Sequence, residues 1–162
     1  MSEELRFTAG GDRATVYSEI TPQIAALLAG VADEIARMAH VAAVLKQSLG
    51  FFWVGFYRAT RPGVLIAGPY QGDLACTEIP FAKGVCGAAA RSGQTVIVAD
   101  VDAFPGHISC SSLSRSEIVI PFVRDGATQF VLDVDSDRLD DFDDIDRVAL
   151  ERIVSLVGER EG

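Results

Sequence analysis

Cysteine, histidine and tryptophan are scarce in this chain: three, two and one among 162 residues. Cysteines at 76, 86 and 110 leave one over from any pairing, which excludes the simple disulfide framework of small secreted domains. Histidines and cysteines at zinc-ligand spacing are missing too, so the expectation is a protein with no metal or other bound cofactor. Basic residues are in short supply, 14 Lys and Arg against 23 Asp and Glu, for a formal net charge of −9. That balance argues against nucleic acid or an anionic membrane as the main partner, because both are held by basic patches. No hydrophobic run approaches the roughly 20 residues of a membrane span, and Ser2-Glu3-Glu4 does not open a signal peptide. The expected location is therefore the cytoplasm, with the cysteines resting as thiols that are either buried structural groups or redox groups.

What is present suits a single domain with a sizeable core, since 49% of the residues are hydrophobic. Residues 1–18 are polar and contain glycine, and read as a flexible leader; residues 19–162 read as the domain. From Thr21, the positions Ile24, Leu28, Val31, Ile35, Met38, Ala42 and Leu45 recur in steps of three and four. That is a helical stripe with a possible break near Gly30. Its near-heptad rhythm suits either packing on the chain's own sheet or a seam with a second copy. Phe51–Arg58 reads as an aromatic strand, turning at Arg61-Pro62-Gly63 into a second strand at Val64–Gly68. Alternation sets Trp53, Gly55 and Tyr57 on one face, with Phe52, Val54 and Phe56 on the other. Cys76–Pro80 and Thr95–Val98 are further short strands, and a short helix opens at Gly84. Glu117–Arg124 and Thr128–Asp135 flank the turn Asp125-Gly126. An acidic first turn at Asp141, Asp143 and Asp144 begins a last helix, with Ile145, Ala149, Ile153 and Leu156 as its buried stripe. The fold class is α+β, with a mainly antiparallel central sheet and N- and C-terminal helices packed on one face.

The chemistry concentrates in Asp100–Ile120, a polar, turn-rich loop far longer than the half-dozen residues of a plain connection. It carries Phe104-Pro105-Gly106-His107 and Cys110. His107 and Arg115 stand close enough in sequence to favour a Cys110 thiolate, while Lys83 and a helix start do the same for Cys86. From these local features the nucleophile stays open, with a slight lean toward Cys86. Asp133 and Asp135 share one strand face, an unusual place for aspartate. Glu117 can join them if its strand faces the same way, and carboxyls crowded together raise at least one pKa into the range of a general acid. A solvated polar face on an edge hairpin is the plainer alternative. Trp53 and Tyr57 are core residues or one wall of a pocket for a small apolar group.

The blocks GPYQGDLACTEIPFAKGVCG, VADVDAFPGHISCSSLSRSEIVIP, VLDVDS and FDDIDR resemble the free methionine-(R)-sulfoxide reductases, which are built on a GAF domain. The likeness runs from about Trp53 to the C-terminus. It implies an enzyme that reduces the free amino acid sulfoxide, with Cys110 as nucleophile, Cys76 as resolving cysteine and Cys86 as a third cysteine of substrate contact or alternative pairing. It also implies Glu117, Asp133 and Asp135 as substrate-site carboxylates, with Glu117 our choice for the acid. Trp53 and Tyr57 would lie near the thioether end of the substrate. Thioredoxin is the implied reductant and a homodimer the implied assembly. Phe130 and Ala82 depart from glycines common in that family; Phe130 is expected to repack the core side of its strand without loss of chemistry. A GAF module that only binds a small ligand is the rival reading.

Overall fold

The three longer helices begin where an aspartate satisfies open N–H groups, whereas the short helix that starts at Gly84 has no side-chain cap. In the computed structural model, which describes residues 4–108 and 110–159, helix α1 spans Arg13–Leu28 and α2 spans Glu34–Leu49. The Asp12 carboxylate accepts the Thr15 N–H at 2.8 Å and the Asp33 carboxylate accepts the Ala36 N–H at 2.9 Å. At the last helix, α4 (Asp144–Gly158), Asp143 and Asp146 form a reciprocal capping box. The ends are cut as cleanly: α2 and the short helix α3 (Gly84–Ser92) both stop at a left-handed glycine, Gly50 and Gly93.

Six strands follow from the alternating segments: β1 Trp53–Arg61, β2 Val64–Gln71, β3 Glu78–Pro80, β4 Val96–Val98, β5 Ser116–Arg124 and β6 Ala127–Ser136. They form one sheet in the order β3-β2-β1-β6-β5-β4, with every neighbouring pair antiparallel. On one face Val54, Phe56, Ile118, Ile120, Phe130, Leu132 and Val134 bury against α1, α2 and α4. On the other face Trp53, Tyr57, Val119 and Val131 pack with α3 and the segments around it. The expected architecture is therefore observed, with α3 as the one α-helix on the second face among the described residues.

Several boundaries differ from expectation, each for a physical reason. The leader is not loose through residue 18: α1 begins at Arg13, and Val16 and Tyr17 are buried in the core. Tyr17 donates to Asp146 at 2.7 Å and Arg13 pairs with the same carboxylate at 3.1 Å, tying α1 to α4. Met1–Glu3 of the leader and 160–162 of the domain lie outside the described residues. The stripe from Ile24 to Leu45 is two helices, separated around Gly30 at φ +76. Ile24, Leu28, Met38, Ala42 and Leu45 are all spent on the chain's own core, while Ile35 is 40% exposed. In α4 it is Leu150, Ile153, Val154, Leu156 and Val157 that are buried; Ile145 points outward. Cys76 precedes β3 in a loop rather than opening the strand, and β2 runs on to Gln71.

Phe130 sits on the helix side of β6, fully buried, edge-on to Phe56 at 5.8 Å and stacked on Phe122 at 5.0 Å. Its ring therefore fills the core on the sheet face opposite the cavity described next. Ala82 is exposed.

Candidate active site

Register decides which side chains meet. Glu117 of β5 pairs with Asp135 of β6, and Val119 with Asp133, so the strand alternation turns all three carboxylates to the α3 face. β1 lies on the other side of β6, with Trp53 opposite Asp135 and Gly55 opposite Asp133. Above them Asp73, Leu74 and Ala75, the start of α3, and His107, Ile108, Cys110, Ser111 and Ser114 line a cavity of about 580 Å³, part of it open to solvent. Trp53, Tyr57, Cys86, Cys110, Glu117, Asp133 and Asp135, all expected at the site, line this one cavity.

The apolar wall is a ladder of rings. Trp53 stacks on Tyr57 at 5.9 Å and on Tyr70 at 5.3 Å, and its indole N–H donates to the Asp73 carbonyl at 3.0 Å. Gly55 makes this possible. A Cβ there would stand 2.2 Å from the Tyr70 Cβ and 2.7 Å from the Trp53 ring, too close for any side chain. Phe52 joins the cavity wall, against the strict alternation that set it on the opposite face, because it lies before the strand begins.

The acidic floor is buried: Glu117 and Asp133 are 5% and 6% exposed. Ser114 donates to Asp135 at 3.2 Å. Removal from water, followed by the charges of Asp133 and Asp135, raises Glu117 well above the ordinary carboxyl range. Burial also raises Asp135, with Asp133 adding to it. Asp133 is pushed up to about 6 by burial, which hydrogen bonds from Glu117 and Cys86 partly offset. The folded chain thus keeps a proton on Asp133 at pH values where the unfolded chain, at 3.8, has released it. Stability from that proton is full below pH 3.8 and is lost as pH rises through about 6. Replacing Asp133 with Asn should flatten this dependence and raise the melting temperature at pH 7–8 relative to the parent. Thermal unfolding of both chains from pH 4 to 8 checks it, and parallel curves would count against the assignment.

The thiols divide into a pair and a single. Cys76 and Cys110 form a disulfide with Cα atoms 5.5 Å apart; Cys110 lines the cavity, and Cys76 reaches it only through that bond. Cys86 is free and buried on α3. Its thiol is not activated as the local sequence suggested: burial first, then Asp133, Glu117 and Asp135, push its pKa well up. Lys83 and Arg115, read from sequence as thiolate-promoting cations, are exposed and absent from the cavity lining; His107 does line it. The His107 Nδ1 is buried without a hydrogen-bond partner. The local sequence carries no signal for Tyr70, Asp73, Ser114 and Ile108 at the site; Tyr70 meets Trp53 only because β2 runs on past the expected Gly68 to Gln71.

A six-stranded antiparallel sheet with α1, α2 and α4 on one face and a cavity on the other defines a GAF domain, and the family model of that name matches residues 23–159. GAF domain-containing protein A of Dictyostelium discoideum is 47% identical over 97% of this chain and 99% of its own length. The free methionine-R-sulfoxide reductase of Escherichia coli is 38% identical over 86% of this chain and 84% of its own. The free methionine-R-sulfoxide reductase of Neisseria meningitidis, solved in complex with its substrate, superposes with a TM-score of 0.91 at 50% identity, covering 95% of this chain and 92% of that one. The chain belongs to the free methionine-R-sulfoxide reductases of the GAF family. Among the described residues, no helix is long and apolar enough to cross a membrane.

Proposed function

We propose that the chain reduces free methionine-(R)-sulfoxide to methionine with its own thiols. The observation that carries this is the Cys76–Cys110 disulfide, whose Cys110 lines a cavity with an acidic floor and an aromatic wall. The Cys110 thiolate attacks the sulfoxide sulfur while a carboxyl, Glu117, gives a proton to the departing oxygen. Methionine leaves and Cys110 becomes a sulfenic acid. The Cys76 thiol attacks that sulfur, releasing water and forming the disulfide. One sulfoxide and two thiols thus give one thioether, one water and one disulfide. A thioredoxin-type dithiol then restores both thiols, which suits the reducing cytoplasm and would protect the cell against oxidised methionine. A homodimer is the assembly we expect.

Recognition of a free amino acid follows from charge. The carboxylate floor attracts the substrate ammonium group, and the Trp53–Tyr57–Tyr70 ladder takes the methyl end. The substrate carboxylate needs a donor, and His107 is the single basic side chain among the described lining residues, with its Nδ1 unpartnered. As the Nδ1–H tautomer it donates to that carboxylate. His107→Ala should therefore raise KM about tenfold with kcat nearly kept, the pattern of lost uniform binding. Steady-state kinetics over a wide substrate range check it; an unchanged KM would remove His107 from recognition.

The test of the function itself is thioredoxin-coupled NADPH oxidation with the R and S epimers of free methionine sulfoxide, beside a peptide-bound sulfoxide. Turnover on the free R epimer alone is the expected result. Silence on all three, with the thiols shown reduced, would favour a GAF module that binds without reacting.

A further inference from the structure

Cys86 is the one thiol left outside the disulfide, and the proposed reaction gives it no step. It stands on α3 directly over two carboxylates of the sheet, Glu117 on β5 and Asp133 on β6. One ligand atom from each of the three, a sulfur and two oxygens, lies within 4.8 Å of the others. All three residues are buried, at 4%, 5% and 6% exposure. Asp133, a lining residue of the cavity, also has its Oδ1 buried with no hydrogen-bond partner. An unpaired buried acceptor beside a sulfur ligand is what a cation site presents before it fills.

We infer that Cys86, Glu117 and Asp133 form a binding site for one borderline-soft divalent cation, Zn²⁺ by preference, at the floor of the substrate cavity. The donor set selects the metal. A thiolate with two carboxylates suits zinc, whereas Ca²⁺ and Mg²⁺ take oxygen ligands alone. Zinc bonds of about 2.3 Å to sulfur and about 2.0–2.2 Å to oxygen put neighbouring ligands roughly 3.5 Å apart in a tetrahedron. The three atoms therefore need to close by about 1 Å, within reach of side-chain rotation. The fourth position opens to the cavity, where water can take it. The zinc ion replaces the Cys86 thiol proton and any proton shared by the two carboxyls, so binding releases protons to solvent. No electron moves. The sequence carries no zinc spacing because the ligands come from three elements, at 86, 117 and 133.

The consequence for turnover rests on the function proposed above: a zinc ion here occupies the ammonium subsite and excludes the amino acid. Zn²⁺ then acts as a reversible inhibitor competitive with the sulfoxide. Its site survives oxidation, because Cys86 is free while Cys76 and Cys110 are joined.

The test uses the full chain in its disulfide form, so that Cys86 is the one thiol able to bind, with Co²⁺ as the spectroscopic probe and Zn²⁺ as competitor. Co²⁺ should develop thiolate-to-cobalt charge-transfer absorption at one equivalent, and Zn²⁺ should bleach it. Cys86→Ser should abolish the band. Asp133→Asn, which keeps the thiol, should retain a band but weaken affinity by roughly 100-fold, at the upper end of what one supporting group contributes. Absence of the band from the folded parent protein, or its persistence in Cys86→Ser, overturns the site. Metal binding without competition against the sulfoxide would instead leave the cation site standing and overturn the placing of the ammonium group.

Discussion

Replacing Cys110 with serine should leave no measurable turnover of free methionine-(R)-sulfoxide. A serine hydroxyl matches the thiol in shape but remains protonated at neutral pH, and its oxygen cannot carry the sulfenic acid to disulfide sequence. Cys76→Ser should fail differently. Its Cys110 can still attack once, so each chain should release about one equivalent of methionine in a rapid burst and then stall as the sulfenic acid. Quantifying methionine in a quenched single-turnover experiment separates the two variants. Near-normal steady-state turnover by Cys110→Ser would sink the nucleophile assignment. A burst from Cys110→Ser with none from Cys76→Ser would exchange their roles.

Glu117→Gln should lower kcat by about 10²–10³-fold, the range for loss of a general acid. The departing oxygen must be protonated as the S–O bond breaks, and the candidate donor is a carboxyl whose environment favours its neutral form. Burial raises Glu117 well above its ordinary value, and Asp133 and Asp135 raise it further. A raised acid is useful below its pKa and spent above it, so the parent's rate should fall as pH climbs through that pKa. The glutamine variant keeps the size and hydrogen bonding of the side chain without the titration, and should lose this alkaline limb. A kcat within a few-fold of the parent, with the limb intact, would move the proton to Asp133 or Asp135.

The sheet was legible in the sequence because its strands alternate strongly. Asp125-Gly126 marked the β5–β6 turn, and the register it sets carried Asp133 and Asp135 to one face with Glu117. The expected opening of a short helix at Gly84 is where α3 begins. Harder to read was the start of α1. Thr21-Pro22 looks like a helix beginning, yet Pro22 lies well inside a helix capped by Asp12 and held by tertiary bonds from Tyr17 and Arg13 to Asp146. A partner more than a hundred residues away leaves no local signal. The same limit explains the thiols. Lys83 is three residues from Cys86 in sequence, but burial over the acidic floor decides the character of Cys86, and that requires the fold. Tyr70 and His107 entered the site for a comparable reason: one needs the full length of β2, the other the folding of a long loop over the sheet.

The chain has a single tryptophan, and it forms the cavity wall between two tyrosines. Its indole is therefore a built-in optical reporter. The emission of the whole protein comes chiefly from one ring in the wall of the proposed substrate cavity, which Cys110 of the disulfide and the free Cys86 also line. Excitation of Trp53 should register filling of the pocket as a change in intensity and colour. Reduction of the neighbouring disulfide, a known class of quencher, should brighten it, so catalytic steps could be timed by stopped-flow light emission without any added dye.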